Sequence, residues 1–228
     1  MLVVNKLPRS LSAEAYKSLR TNIKYASIDK KLQTIVITSS QPSEGKSTVA
    51  GNLAYTLSQD GAKVLLMDCD LRKPTIHKKL ELTNEKGLTD FLIDKCDLKM
   101  SIHEVADNLF VIPAGSRPPN PAEIVGSRAM EEFLNDLKRA YDYIIIDTPP
   151  VIPVTDGLIL AGKADATILV SRSRKTQERV LKQSYEELTK VRANVIGSVI
   201  TDLENTRYDK YHEYYGTGRM RFRNRKRK

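Results

Sequence analysis

The sequence predicts an α/β fold, a mostly parallel central sheet flanked by helices on both faces. Three observations predict it. Short β-branched apolar runs recur along the chain without polar alternation. Helix-period segments separate most of them. The first run leads through a Gly-Lys-Ser turn straight into a helix. Strands that read as continuous apolar runs are buried on both faces, as in parallel sheets covered by crossover helices.

Taken in order, an amphipathic helix is expected near 12–26, with Ser12 as N-cap and Ala15, Leu19, Ile23 and Ala26 at helical spacing. Thr34–Thr38 is β-branched throughout and reads as the first buried strand. Helix-period residues Val49, Ala50, Leu53, Ala54 and Leu57 follow within 47–58. Further strands are expected at Val64–Met67, Leu109–Ile112, Tyr143–Ile146, Ala166–Val170 and Val195–Ile200, and further helices at Met130–Leu137 and Gln177–Val191. Apolar periodicity stops near Glu204. One domain over 1–203 and a flexible, tyrosine-rich, basic tail over 204–228 are therefore expected.

The 228-residue chain is 40% hydrophobic and 29% charged, which suits a soluble core-forming domain. Neither a secretory signal nor a membrane-spanning run is legible, so a cytoplasmic location is expected. Two cysteines, Cys69 and Cys96, make no disulfide framework, and Cys69 reads as a small buried residue. His77, His103 and His212 show no metal-ligand spacing. The net charge is +9, of which Arg219, Arg221, Arg223, Arg225, Lys226, Arg227 and Lys228 supply seven. Basicity therefore belongs to the tail, where proximity to an anionic membrane surface is preferred over nucleic acid as a partner.

Three motifs carry chemistry. Ser40-Gln41-Pro42-Ser43-Glu44-Gly45-Lys46-Ser47-Thr48 follows a strand and opens a helix. That is the context of a P-loop, in which backbone N–H groups and a helix N-terminus cradle the phosphates of ATP. Lys46 can reach the β- and γ-phosphates, and the Ser47 hydroxyl can ligate Mg²⁺. Ser40 stands where the full pattern has its first glycine. The second motif is Val64–Met67 running into Asp68-Cys69-Asp70-Leu71-Arg72, and the third is Tyr143–Ile146 running into Asp147-Thr148-Pro149-Pro150. In a parallel sheet all strand C-termini share one edge, so Asp68, Asp70 and Asp147 are expected to converge on the metal beside Ser47. Strand periodicity is expected to point Asp68 and Asp70 to one face, with one of them placed to accept a proton from an attacking hydroxyl.

Together these motifs resemble the bacterial tyrosine kinases of the BY-kinase family, in its cytoplasmic capsular and exopolysaccharide type. The segment Gly115–Glu123 and the run Tyr208, Tyr211, Tyr214, Tyr215 resemble that family too. The resemblance implies a P-loop kinase using ATP and Mg²⁺. Lys46 would bind phosphate, Ser47, Asp68 and Asp147 would serve the metal, and Asp68 would act as base with Asp70 beside it. The four tail tyrosines would be phosphoacceptors, reached in trans. It further implies a transmembrane adaptor of the chain-length-determinant type, peripheral attachment at the inner face of the cell membrane, and a role in capsule or exopolysaccharide synthesis and export. Glu14, Lys17 and Arg20 occupy an E-x-x-R-x-x-R pattern that the family uses for homo-oligomeric, octameric ring assembly. Lys17 replaces the middle arginine, keeping the charge but losing the planar fork. Two other readings remain open. A MinD/ParA-like positioning ATPase would share the fold, though Gln41, Pro42 and Ser43 stand where that group has its lysine and two glycines. A nucleotide-dependent scaffold is the other.

Overall fold

The computed structural model describes residues 2–26, 28, 30–93 and 96–203. Tyr208, Tyr211, Tyr214 and Tyr215, the basic run that follows them and the expected domain 204–228 lie outside the described residues.

Seven strands form one sheet in the order β3-β4-β2-β5-β1-β6-β7. They are β1 (Thr34–Ser39), β2 (Val64–Asp68), β3 (His103–Ala106), β4 (Leu109–Ile112), β5 (Tyr143–Asp147), β6 (Ala166–Arg172) and β7 (Val195–Thr201). All neighbours pair in parallel except β3, which runs antiparallel to β4 at one edge. The helices are α1 (Val3–Lys6), α2 (Leu11–Ala26), α3 (Lys46–Ser58), α4 (Ile76–Leu80), α5 (Leu88–Leu92), α6 (Pro121–Gly126), α7 (Arg128–Ala140), α8 (Asp156–Lys163) and α9 (Glu178–Lys190).

The apolar strands divide their side chains between two cores because successive residues face opposite sides. Ile35 and Ile37 of β1 join Leu53, Leu57 and Ile23 from α3 and α2 on one face. Val36, between them, joins Met130, Phe133, Leu137 and Leu160 from α7 and α8 on the other. Every expected strand and helix is present. Ser10, not Ser12, caps α2, its Oγ accepting the Ala13 N–H at 3.2 Å. The strand β3 was not anticipated: its four residues are only partly covered, and its pairing with β4 is irregular between Glu104 and Ala106.

The chain leaves β1 toward β2 and later lays β6 on the other side of β1. The strand order thus reverses at β1, and the crevice beyond the carboxyl ends of β1, β2 and β5 is where such sheets take ligands.

Candidate nucleotide site

Ser40 keeps a negative φ, so the missing first glycine costs no strain. The left-handed residues are instead Ser43 (φ 64°) and Gly45 (φ 99°). Gly45 caps α3 with its carbonyl, which accepts from Thr48 N (3.0 Å) and Val49 N (2.9 Å). Lys46 and Ser47 therefore sit in the first turn of α3, where free N–H groups and the helix dipole face the crevice. Both are buried, as are Ser40 and Glu44. Thr48 also lines the cleft, and its Oγ1 accepts from Lys79 Nζ at 3.0 Å.

A cleft of about 380 Å³ opens here. Gly45, Lys46 and Ser47 form one wall, Asp70, Arg72 and Thr75 a second, and Pro149 and Pro150 a third. The two acidic strands meet beside it: Asp68 pairs in register with Asp147, and Cys69 N donates to the Asp147 carbonyl at 2.8 Å.

The three carboxylates have different surroundings. Strand β2 ends at Asp68, so the expected common face for Asp68 and Asp70 does not arise from strand periodicity. A turn carries Asp70 to Lys46 instead, Nζ to Oδ2 at 2.8 Å, in a pair that is almost fully buried. Asp68 folds back over that turn. Its Oδ2 accepts from Thr75 N and Ile76 N, both at 2.9 Å, and its Oδ1 from Asp70 N at 3.2 Å. Asp147 is fully buried, and among the described residues neither oxygen has a hydrogen-bond partner.

Burial dominates the electrostatics. It pushes the Asp68 carboxyl up to about 8, reinforced by the Asp147 charge and opposed by the N–H groups of Ile76 and Thr75. Asp147 rises to about 6, again chiefly through burial, with Lys46 pulling against it. Ser47 stands close enough to favour the ionised form without meeting hydrogen-bond geometry. Burial works against the Lys46 ammonium, but Asp147, Asp70 and Asp68 outweigh it and raise its pKa. Burial likewise raises the Cys69 thiol well above its ordinary value, so it stays protonated and inert.

An unpartnered buried carboxylate is costly unless a cation completes it. Asp147 and Ser47 therefore fit Mg²⁺, a hard cation taking oxygen ligands. Among the described residues no three His, Cys, Asp or Glu side chains gather as a metal cluster, and Asp68 is committed to the backbone of its turn.

Two parts of the site were not read from sequence. Arg72 grips the buried Asp156 at the start of α8 with two bonds, Nε to Oδ2 at 2.9 Å and Nη2 to Oδ1 at 3.0 Å. Thr176 donates from the β6–α9 connection to Glu44. The Asp156 partner is 84 residues away, and no motif spacing announces it. Among the expected assembly residues, Glu14 and Lys17 pair with each other at 2.7 Å. Arg20 is used within the chain, donating to the Thr56 carbonyl at 3.1 Å and facing Asp60 at 3.5 Å.

A parallel sheet with a phosphate loop after β1, a lysine and a serine entering α3, and an acidic end to β5 define a P-loop nucleotide-binding domain. Comparison with known proteins agrees and goes further. Residues 32–200 match the AAA domain family. The tyrosine-protein kinase YwqD of Bacillus subtilis is 40% identical over 211 residues, covering 92% of this chain and 89% of that protein. The tyrosine-protein kinase CpsD of Streptococcus agalactiae is 33% identical over 230 residues, covering 100% and 98%. The crystal structure of the chimerical protein CapA2B2 is 36% identical with a TM-score of 0.84, over 87% of this chain and 88% of that one. The chain belongs to the bacterial tyrosine-kinase family, the BY-kinases.

Proposed function

We propose that this protein-tyrosine kinase transfers the γ-phosphoryl group of ATP to Tyr208, Tyr211, Tyr214 and Tyr215 of a neighbouring copy, and so regulates capsular or exopolysaccharide synthesis and export. One observation carries the catalytic reading. Asp147 is buried beside Lys46 and Ser47 with both carboxylate oxygens unpartnered, an arrangement that costs stability and is repaid only by a bound cation.

In this reading, N–H groups of 40–48 and the Lys46 ammonium take the phosphates. Lys46 exchanges Asp70 for them, since the same ammonium cannot serve both fully. Ser47 and Asp147 hold Mg²⁺, which supplies charge neutralisation on the phosphate oxygens when bound. Asp68 is the proton acceptor for the tyrosine hydroxyl. A carboxyl raised to about 8 in the empty site is a stronger base than an ordinary carboxylate, so once ionised it holds an accepted proton firmly. Its Oδ1 accepts from Asp70 N at 3.2 Å and is buried behind the cleft wall, so the 69–76 turn must shift for the hydroxyl to reach it. Positioning and electrostatics then supply most of the catalysis, as phosphoryl transfer asks little covalent chemistry of the protein.

A transmembrane adaptor of the chain-length-determinant type is the proposed partner and the proposed route to the membrane. The basic residues 219–228 would add contact with anionic lipid. Among the described residues no helix is long and apolar enough to cross a membrane. A positioning ATPase of the MinD/ParA type is not favoured, because the curated relatives YwqD and CpsD are tyrosine kinases.

Mixing two full-length variants tests the trans reaction. The donor carries Phe at positions 208, 211, 214 and 215, and the acceptor carries Lys46→Met. With labelled ATP and the adaptor fragment present, label is expected on the acceptor. Label absent from the mixture but present on the wild type would overturn transfer between copies.

A further inference from the structure

Glu44 lies within the phosphate loop, yet its charge is wrong for that place. A carboxylate in an anion-binding nest repels the ligand the nest is built for. The structure turns it away. Glu44 is 1% exposed and does not line the cleft, although Ser43 and Gly45 on either side of it do. Its Oε2 accepts from Gln41 N at 2.9 Å, and its Oε1 accepts from Thr176 Oγ1. Thr176 Oγ1 itself accepts from Arg172 N at 2.8 Å, which occupies its acceptor side and leaves the hydroxyl proton for Glu44.

A second threonine holds the same residue from its backbone. Thr201, the last residue of β7, donates from Oγ1 to the Glu44 carbonyl at 2.7 Å. Its methyl lies where a side chain on Gly45 would fall: a Cβ there would meet Thr201 Cγ2 at 3.0 Å. Arg172 adds a contact from Nη1 to the Ser43 carbonyl at 3.4 Å while gripping Asp202 Oδ2 with Nε and Nη2, at 2.9 and 2.8 Å. Residues 43–45 are thus clamped from outside the cleft by the ends of β6 and β7.

We propose that Thr176 and Thr201 are positioning residues that keep the Glu44 carboxylate and carbonyl out of the nucleotide cleft. The loop then presents only N–H dipoles and Lys46 to the phosphates. This rests on the nucleotide-binding reading of the cleft and not on the identity of the phosphate acceptor. Thr201 closes β7 seven residues before Tyr208 in the sequence, so the loop's geometry is tied to the end of the last described strand.

ADP binding to the full-length protein, measured by calorimetry, tests the latch. Thr176→Val keeps the shape and removes the proton donor, so the Glu44 charge is released, and Kd for ADP is expected to rise about tenfold. Thr201→Val is expected to weaken binding in the same direction, and it reads the latch independently should Thr176→Val fail to fold. Thr176→Ser, which keeps the hydroxyl, is expected to bind as the wild type does. The deciding variant is Thr176→Val with Glu44→Gln. A neutral amide cannot repel the phosphates, so this pair is expected to recover most of the lost affinity, whereas a purely structural role would predict no recovery. Wild-type affinity in both valine variants, or no recovery in the pair, would overturn the proposal. A wild type that does not bind ADP would overturn the nucleotide reading itself.

Discussion

Replacing Asp147 by Asn removes a charge that the fold holds at a loss. In the unfolded chain this carboxyl titrates at 3.8, and in the fold burial lifts it to about 6. Between those values the folded state keeps a proton that the unfolded chain has released. Stability therefore falls as pH rises through that window and stays low above it. A rise from 3.8 to about 6 corresponds to about 3 kcal/mol once Asp147 is ionised. On the order of 1 kcal/mol of that is lost between about pH 5 and about pH 8. The Asp147 charge is also the next cause, after burial, of the rise of Asp68 to about 8, so removing it relieves Asp68 as well. The assay is urea unfolding of nucleotide-free wild type and Asp147→Asn at the two pH values. The wild type is expected to lose more stability than the variant on going to the higher pH, by on the order of 1 kcal/mol. A buried, unpaired amide in the variant lowers stability at both pH values and cancels from the comparison. Equal losses in the two proteins would refute the claim that Asp147 is an uncompensated buried charge.

Other variants probe the remaining parts. Lys46→Met leaves Asp70, Asp68 and Asp147 without their shared cation and is expected to abolish phosphorylation and to weaken ATP binding by more than tenfold; unchanged labelling would remove Lys46 from the mechanism. Asp68→Ala leaves three backbone N–H groups without acceptors, so it is expected to lose activity and, below about pH 4 where the carboxyl is protonated folded or unfolded, ~2 kcal/mol of unfolding stability. Full stability by urea unfolding would show that the 69–76 turn does not depend on it. Gly45→Ala forces a side chain into φ 99° against Thr201 and is expected to lower stability by about 1–3 kcal/mol and ADP affinity with it. Arg20→Ala should destabilise the chain itself, since Arg20 bonds the Thr56 carbonyl. Glu14→Ala, which only frees Lys17 on the surface, should leave unfolding unchanged within about 0.5 kcal/mol.

The sheet was legible because its strands are buried on both faces. Val64–Met67 and Tyr143–Ile146 carry no polar residue, and only a parallel sheet between helix layers accommodates several such runs. The site's position followed from the same fact, since parallel strands bring Asp68, Asp147 and the loop after β1 to one edge. What sequence did not carry was the local backbone. Strand β2 ends at Asp68, so it is a turn that places Asp70 against Lys46 and wraps Asp68 in its own N–H groups. Strand β3 has a half-covered, irregular pairing and so no clean period to read. Glu44 was read as part of the phosphate-binding loop by its position. Its side chain is bonded by Thr176 and its carbonyl by Thr201, 132 and 157 residues away, and it does not line the cleft. Such long-range contacts leave no local pattern.

The most direct measurement is a phosphopeptide map of the full-length protein, co-expressed with the proposed adaptor, beside the Lys46→Met variant. Phosphate on Tyr208, Tyr211, Tyr214 or Tyr215 in the wild type and on none of them in the variant is the predicted result. A clean tail in the wild type, or equal phosphate in the variant, would contradict the account of this chain as a kinase of its own tyrosine cluster.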